Sequence, residues 1–414
     1  MGNYVKYNIM MPDTKPSILN ANAKAIKCLY YNESLTSTEV SAYIGKSIPH
    51  TIKVLNELIA EGYVKEMGYA TSSGGRKPLH YSLITDTHYI VSIAMNQFSV
   101  QMVFMDMNNN FITTPAQHQL DITTLKVEAL HKLINDYIKN SEIPKEKILG
   151  LGLTMPGFID TAKGINYTFL DIHGQSLVEH LQHKLQLPVF LDNDSTAIAL
   201  GELKFGIAIH QKDAMIVNLG WGIGLGMIMD GKIFRGHSGL AGEFSHIPLV
   251  KNGKLCTCGK HGCLETEASL IAIIGKAKAE LSLGQISSLS NYAEIDANAI
   301  ITEATKGDIL SVKLISEAAY NVGQGIAILI HILNPASIVL SGIGSMVGRL
   351  WLSPIQQAIN EHCIPRLAHD TELLVSNLNS KAQIIGGAVL VVENIGKPLQ
   401  AKMNAINKEL SVGI

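Results

Sequence analysis

Two stretches of this chain carry the same signature, and that repetition constrains the fold more than any other feature. "HYIVSIAMNQFSVQMVFMDMNNNF" begins at His88 and "DAMIVNLGWGIGLGMIMDGKIF" at Asp213. Each reads as a β-hairpin start, and each is followed by helices and strands in alternation. After the first come an amphipathic helix ("LKVEALHKLINDYIKN"), a strand ("ILGLGLTMPGFID"), a helix ("SLVEHLQHKLQ") and a strand ("PVFLDND"). Two such units predict two related α/β lobes around a cleft. The first lobe is expected over 86–200, with a C-terminal helix at about 382–400 returning to it. The second, over 201–381, is expected to hold the metal site, the cleft residues and the oligomer contacts.

The most apolar stretch, "VGQGIAILIHILNPASIVLSG", is interrupted by His331, Asn334 and Pro335. It predicts a buried helix, a turn and a buried strand, and not a membrane span. The opening "MGNYVKYNIMMPDTK" has no basic region followed by an apolar run, and Lys6 stands where a myristoylation signal needs Ser or Thr. A cytoplasmic protein is expected, in which clustered cysteines favour metal or redox chemistry over disulfides. Cys28 and Cys363 stand alone and read as small core residues.

Residues 1–85 differ from the rest. They carry nine Lys/Arg against six Asp/Glu, a net of +3, which leaves −5 for the remaining chain. Helical spacing runs through "SILNANAKAIKCLYYN", and "SLTSTEVSAYIGK" starts a second helix at a Ser/Thr cap and stops it at Gly45. A third, "SIPHTIKVLNELIAEGYV", has Ser47 as cap and Pro49 in its first turn. Ile52, Leu55, Leu58 and Ile59 are expected on its inner face, with Ser47, His50 and Lys53 outside. Two strands around the basic tip "SSGGRKP" follow, the pattern of a wing. Together these predict a winged helix-turn-helix that binds duplex DNA, with Ser47, His50 and Lys53 near base edges or phosphates and Arg76 and Lys77 at the minor groove. A small helical dimerisation domain with a solvated loop is the alternative.

"LCTCGKHGCLE" packs Cys256, Cys258 and Cys263 into eight positions as C-x-C-x4-C, and "AGEFSHIPL" places His246 ten residues before Cys256. The turn signal at Asn252-Gly253 lets the segment fold back. Three thiolates and an imidazole make a closed, structural Zn²⁺ site; a reactive thiol cluster is the alternative. Glu243 and Glu265 flank that set, and Asn193 and Asp194 end a strand and begin a helix. Carboxylates and amides converging on a cleft suit a polyhydroxyl ligand, a sugar above all.

In order, "GLTMPGFID", "LDNDSTAIALGE", "LGWGIGLGMIMDGKIF", "GLAGEFSHIPL" and "CTCGKHGCLE" resemble the successive motifs of the ROK family (repressors, open reading frames, kinases). The head resembles the regulator branch of that family, the N-acetylglucosamine-, xylose- and Mlc-type repressors. The resemblance implies an actin/hexokinase-like body, a sugar or sugar-phosphate effector in the interlobe cleft and a homodimer or homotetramer. It makes Glu243, His246 and Glu265 sugar-hydroxyl ligands, with Asn193 and Asp194, the latter at the position of the kinase base. It makes His246, Cys256, Cys258 and Cys263 the zinc set. The stretch "NYTFLDIHGQSL" departs from the kinase pattern by lacking a clear counterpart of its asparagine.

Kinase members carry Asp-x-Gly-Gly-Thr in the first strand turn, where this chain has "SIAMNQFS". Ala94 takes the Asp position, Asn96 and Gln97 the glycines and Phe98 the threonine, and Trp221 replaces a small hydroxyl residue in the second phosphate loop. Phosphoryl transfer depends on positioning and charge neutralisation. The expected function is therefore a sugar-responsive DNA-binding repressor without kinase activity, with Asp194 kept as a sugar ligand. A sugar kinase with a DNA-binding head is the alternative, and a metal-dependent hydrolase would need an open metal position.

Overall fold

The computed structural model describes residues 21–69 and 78–396. Thr85–Asn394 form one compact unit, and the described residues up to Ile84, with those from Ile395, a second.

In the head, α1 (Ala21–Tyr30) leads through a two-residue strand, β1 (Leu35–Thr36), into α2 (Ser37–Ile44) and α3 (Ile48–Ala60). A reciprocal cap starts α2: Thr36 Oγ1 accepts the Glu39 N–H at 3.3 Å, and Glu39 Oε2 accepts the Thr36 N–H at 2.7 Å. Gly45 ends it in the left-handed region at φ 67°. Strands β2 (Val64–Tyr69) and β3 (Leu79–Leu83) pair antiparallel, and β1 joins them in the order β1-β3-β2. The tip between β2 and β3, with Arg76 and Lys77, lies outside the described residues.

One expectation for α3 fails. Thr51, Val54, Leu55 and Leu58 form its buried face, and Ile52 is 40% exposed. Spacing of i, i+3, i+4, i+7 from Thr51 aligns these four on the side facing α1 and α2, which turns Ile52 outward. Ser47, His50 and Lys53 are exposed as expected. Cys28 is buried, and burial pushes its thiol up to about 12.

In the body, the first lobe opens with β4 (Tyr89–Met95) and β5 (Ser99–Asp106). A third antiparallel strand, β6 (Ala116–Gln119), follows, then α4 (Val127–Asn140) and β7 (Ile148–Met155). After the short hairpin of β8 (Ile159–Asp160) and β9 (Ile165–Asn166) come α5 (Leu177–Leu185), β10 (Val189–Asn193) and α6 (Asp194–Phe205). The second lobe contains β11 (Ala214–Leu219), β12 (Ile223–Met229) and β13 (Lys232–Phe234), then α7 (Leu264–Ala268) and α8 (Leu270–Ser282). Then come α9 (Ala297–Thr305), the long α10 (Ile309–Leu333) and β14 (Ser337–Ser341). The chain finishes with α11 (Arg349–His362), α12 (Pro365–Ala368), β15 (Glu372–Val375) and α13 (Ala382–Glu393).

The two sheets run β6-β5-β4-β7-β10 and β13-β12-β11-β14-β15. In both, the first three strands pair antiparallel and the fourth and fifth join parallel. The lobes are thus one topology used twice. The apolar stretch is the buried helix, turn and strand expected: α10 ends at Asn334 in the left-handed region, and β14 is buried throughout. No helix among the described residues is long and apolar enough to cross a membrane.

Helices α6 and α13 lie between the sheets, packed on each other, with α13 on the first sheet and α6 on the second. Both are buried nearly all round. Close approach requires glycine: a Cβ on Gly386 would sit 1.9 Å from the Ala197 carbonyl oxygen, and one on Gly152 2.0 Å from that of Gly387. Gly→Ala on an open helix gains about 0.5–1 kcal/mol. Gly386→Ala is expected to reverse that sign and lose about 2 kcal/mol, read as a lower urea midpoint. An unchanged or raised midpoint would mean that the layers can separate freely.

Candidate functional site

The His/Cys cluster forms on a loop that folds back as its turn signal predicts. Asn252 takes φ 60°, and isolated bridges Pro248–Cys263 and Leu255–His261 close the loop. Gly262, at φ 73°, lets the strands meet, because a Cβ there would lie 1.8 Å from the Val250 oxygen. The result brings one ligand atom each from His246, Cys256, Cys258 and Cys263 within 4.8 Å of one another. His246 Nδ1 is 3.6 Å from Cys256 Sγ, and Cys258 Sγ is 3.6 Å from Cys263 Sγ. A disulfide needs about 2 Å. Zinc bonds of about 2.0–2.3 Å in a tetrahedron set ligand–ligand edges of about 3.3–3.8 Å, so the donor set fits a metal ion.

The other imidazole nitrogen points the opposite way: Glu243 Oε2 lies 3.8 Å from His246 Nε2. Two residues past Cys263, Glu265 lies in the first turn of α7 and its Oε2 accepts the Ile223 N–H at 2.8 Å. Burial pushes the Glu265 carboxyl up to about 7; the Ile223 N–H opposes this, and the charges of Asp194 and Glu243 reinforce it. Glu243 is raised by burial and then by Asp194, and Asp194 by burial against the pull of the Ser195 N–H. Three carboxyl groups from both lobes thus feel one another in one cleft. Such a site is rich in acceptors and poor in cations, which suits hydroxyl donors and disfavours a free anion.

Asn193 stands differently. Its Oδ1 accepts the Ser195 and Thr196 N–H groups at 2.9 and 3.1 Å as the cap of α6, and its amide reaches the Gly157 oxygen at 3.4 Å. Its carbonyl oxygen is committed to aiming Asp194. Sequence reasoning missed what anchors this corner. Asp192, buried in β10, makes a bidentate pair with Arg235, at 2.7 and 2.6 Å, from the end of β13. A charge inside the apolar "PVFLDND" was the available signal, since a buried carboxylate needs a partner.

At the positions that correspond to kinase phosphate loops, side chains of the chain itself occupy part of the site. Asn96 Oδ1 accepts the N–H groups of Phe98 and Ser99, both at 2.8 Å, so two of the turn's donors are already taken. The Phe98 ring meets the Trp221 ring edge-to-face, centroids 4.7 Å apart at 71°, which joins the hairpin turns of the two lobes. The glycines around Trp221 serve packing: a Cβ on Gly222 would meet Glu265 Oε1 at 2.6 Å, on Gly224 Ser195 Oγ at 1.9 Å, and on Gly226 the Ala199 Cβ at 2.3 Å.

Several known proteins are similar to this chain. The xylose repressor of Caldicellulosiruptor bescii is 29% identical over 387 residues, covering 89% of this chain and 94% of its own. The chain beyond Ile84 is about four-fifths of the sequence, so that match reaches into the head. The glucokinase of Halalkalibacterium halodurans is 34% identical over 277 residues, 65% of this chain and 83% of its own. A crystal structure of a ROK family transcriptional regulator, a homologue of the E. coli Mlc protein, superposes with a TM-score of 0.75 at 24% identity, over 92% of this chain and 98% of that one. It shows the shared fold. The pattern of the ROK family itself matches residues 100–394. A match over that much of the sequence, taking in the second sheet, most of the first, the carboxylate cleft and the cysteine loop, settles the family: this chain belongs to the ROK family.

Proposed function

We propose that this protein is a sugar-responsive transcriptional repressor that binds its effector without phosphorylating it. The observation that carries this reading is the Phe98–Trp221 contact over a turn in which the Phe98 and Ser99 N–H groups are already taken. A nucleotide phosphate needs open backbone donors and space, and here Asn96 takes two of the donors while the paired rings occupy space beside the turn. The head is a winged helix-turn-helix in this reading, supported by its element order and by the reach of the xylose repressor match. Ser47 at the N-cap of α3 and His50 and Lys53 within it face DNA, and Arg76 and Lys77 meet the minor groove.

Asp194, Glu243, His246 and Glu265 hold the hydroxyls of a sugar or sugar phosphate, with Asn193 positioning Asp194. Zn²⁺ is structural: its four protein ligands leave no open position, and it stiffens the loop that presents His246 and Glu265. The protein acts in the cytoplasm as a homodimer or homotetramer, because paired operator half-sites require paired heads at fixed spacing. Ligand bridging the lobes changes the relative stability of their arrangements and so DNA affinity, by its differential affinity for each.

A sugar kinase with a DNA-binding head is the second reading, favoured by the retained Asp194 and the glucokinase relative. ADP release from ATP across hexoses, pentoses and N-acetylhexosamines separates the two. No turnover and no ATP binding by calorimetry are expected; turnover with any sugar would establish the kinase.

A further inference from the structure

The outward turn of Ile52 raises the question of what covers it. Ile48 and Ile52 are 43% and 40% exposed on α3, one helical turn apart. Asn56 stands one turn further along the same line, exposed and without a side-chain hydrogen bond among the described residues. Lys53 is exposed next to Ile52, and Lys46 precedes the helix. Glu57 and Glu61 are confined to the C-terminal end, so the first half of α3 is the cationic half. Ser47 makes no side-chain cap, and its hydroxyl is available to a phosphate beside the first turn.

A face with lysines at its flanks, two branched aliphatics and one amide in a row suits a polyanion whose surface also offers methyl groups. The major groove of DNA does so at A·T pairs: thymine presents its C5-methyl, and adenine offers N7 and N6, the pair that an Asn amide fits. We propose that α3 reads A·T pairs in the major groove, with Ile48 and Ile52 packed on thymine methyls and Asn56 on adenine. This rests on the reading of the head as DNA-binding and adds the base type it selects.

The test uses the full chain and duplexes selected by it from a randomised library. Each thymine is then replaced by deoxyuridine, which removes the methyl and leaves base pairing intact. Loss of one buried methyl is expected to weaken binding about four-fold at one or more positions. Ile48→Ala or Ile52→Ala should erase that penalty at its own position, and both exposed sites tolerate alanine in a helix. Replacing adenine by 7-deaza-adenine at a neighbouring pair should cost the wild type and not Asn56→Ala. Binding that ignores every deoxyuridine overturns the inference and leaves the DNA-binding head standing. A methyl penalty that survives both isoleucine variants also overturns it. Failure to select any duplex overturns both it and the reading of the head.

Discussion

Glu265→Ala is expected to abolish the sugar response while leaving DNA binding intact. The carboxylate belongs to the cleft and not to the head, so nothing that touches DNA is removed. Its loss takes away a buried, charge-bearing acceptor for ligand hydroxyls, worth about 3 kcal/mol or roughly a hundred-fold in sugar affinity. The fold should survive: the Ile223 N–H loses its acceptor at a cost of about 1 kcal/mol, partly offset by relieving repulsion with Asp194 and Glu243. Sugar titration by calorimetry and gel shift in parallel measure both halves. A Glu265→Ala protein released from DNA by sugar as readily as the wild type would place the ligand elsewhere. By reciprocity, operator DNA should change sugar affinity by the factor with which sugar changes DNA affinity.

Cys263→Ser is expected to have the broader effect. Cys263 is fully buried, pairs with Pro248 across the loop and is followed directly by α7, which carries Glu265. Its loss leaves three ligands, and zinc content should fall from about one atom per chain to a small fraction. Structural zinc contributes on the order of 10 kcal/mol to small domains, far more than a loop of this size can replace. The loop from His246 to Cys263 should therefore loosen, and sugar binding should fail with it because His246 and Glu265 lose their mutual placement. Elemental analysis of protein purified without added zinc, with a sugar titration on the same sample, reads both. Glu265→Ala should retain the metal while losing the sugar, which separates the two roles. A metal-free protein that is folded and sugar-responsive would remove zinc from the account.

How much of this was legible in the sequence follows from how far apart the deciding residues lie. Thr36, Glu39 and Gly45 determine α2 because caps act within four residues along the chain. The C-x-C-x4-C spacing with His246 was readable because a turn at Asn252-Gly253 brings a short segment back on itself. The two hairpin starts were readable from strand periodicity, and they implied two lobes.

What only the tertiary structure decided are matters of lateral packing. The third strands β6 and β13 are short, and their pairing rests on neighbours rather than on their own pattern. Ile52 fits a helical stripe as well as Thr51 does, and only the placement of α1 and α2 chooses which is buried. Asn193 is a plausible ligand by type, and its cap geometry shows its oxygen already occupied. The pairs Asp192–Arg235 and Phe98–Trp221 join residues of different lobes, far apart along the chain, whose meeting no local propensity encodes. Residue types in sequence state which chemistry is affordable at a site; packing at long range states which of those groups are left free to perform it.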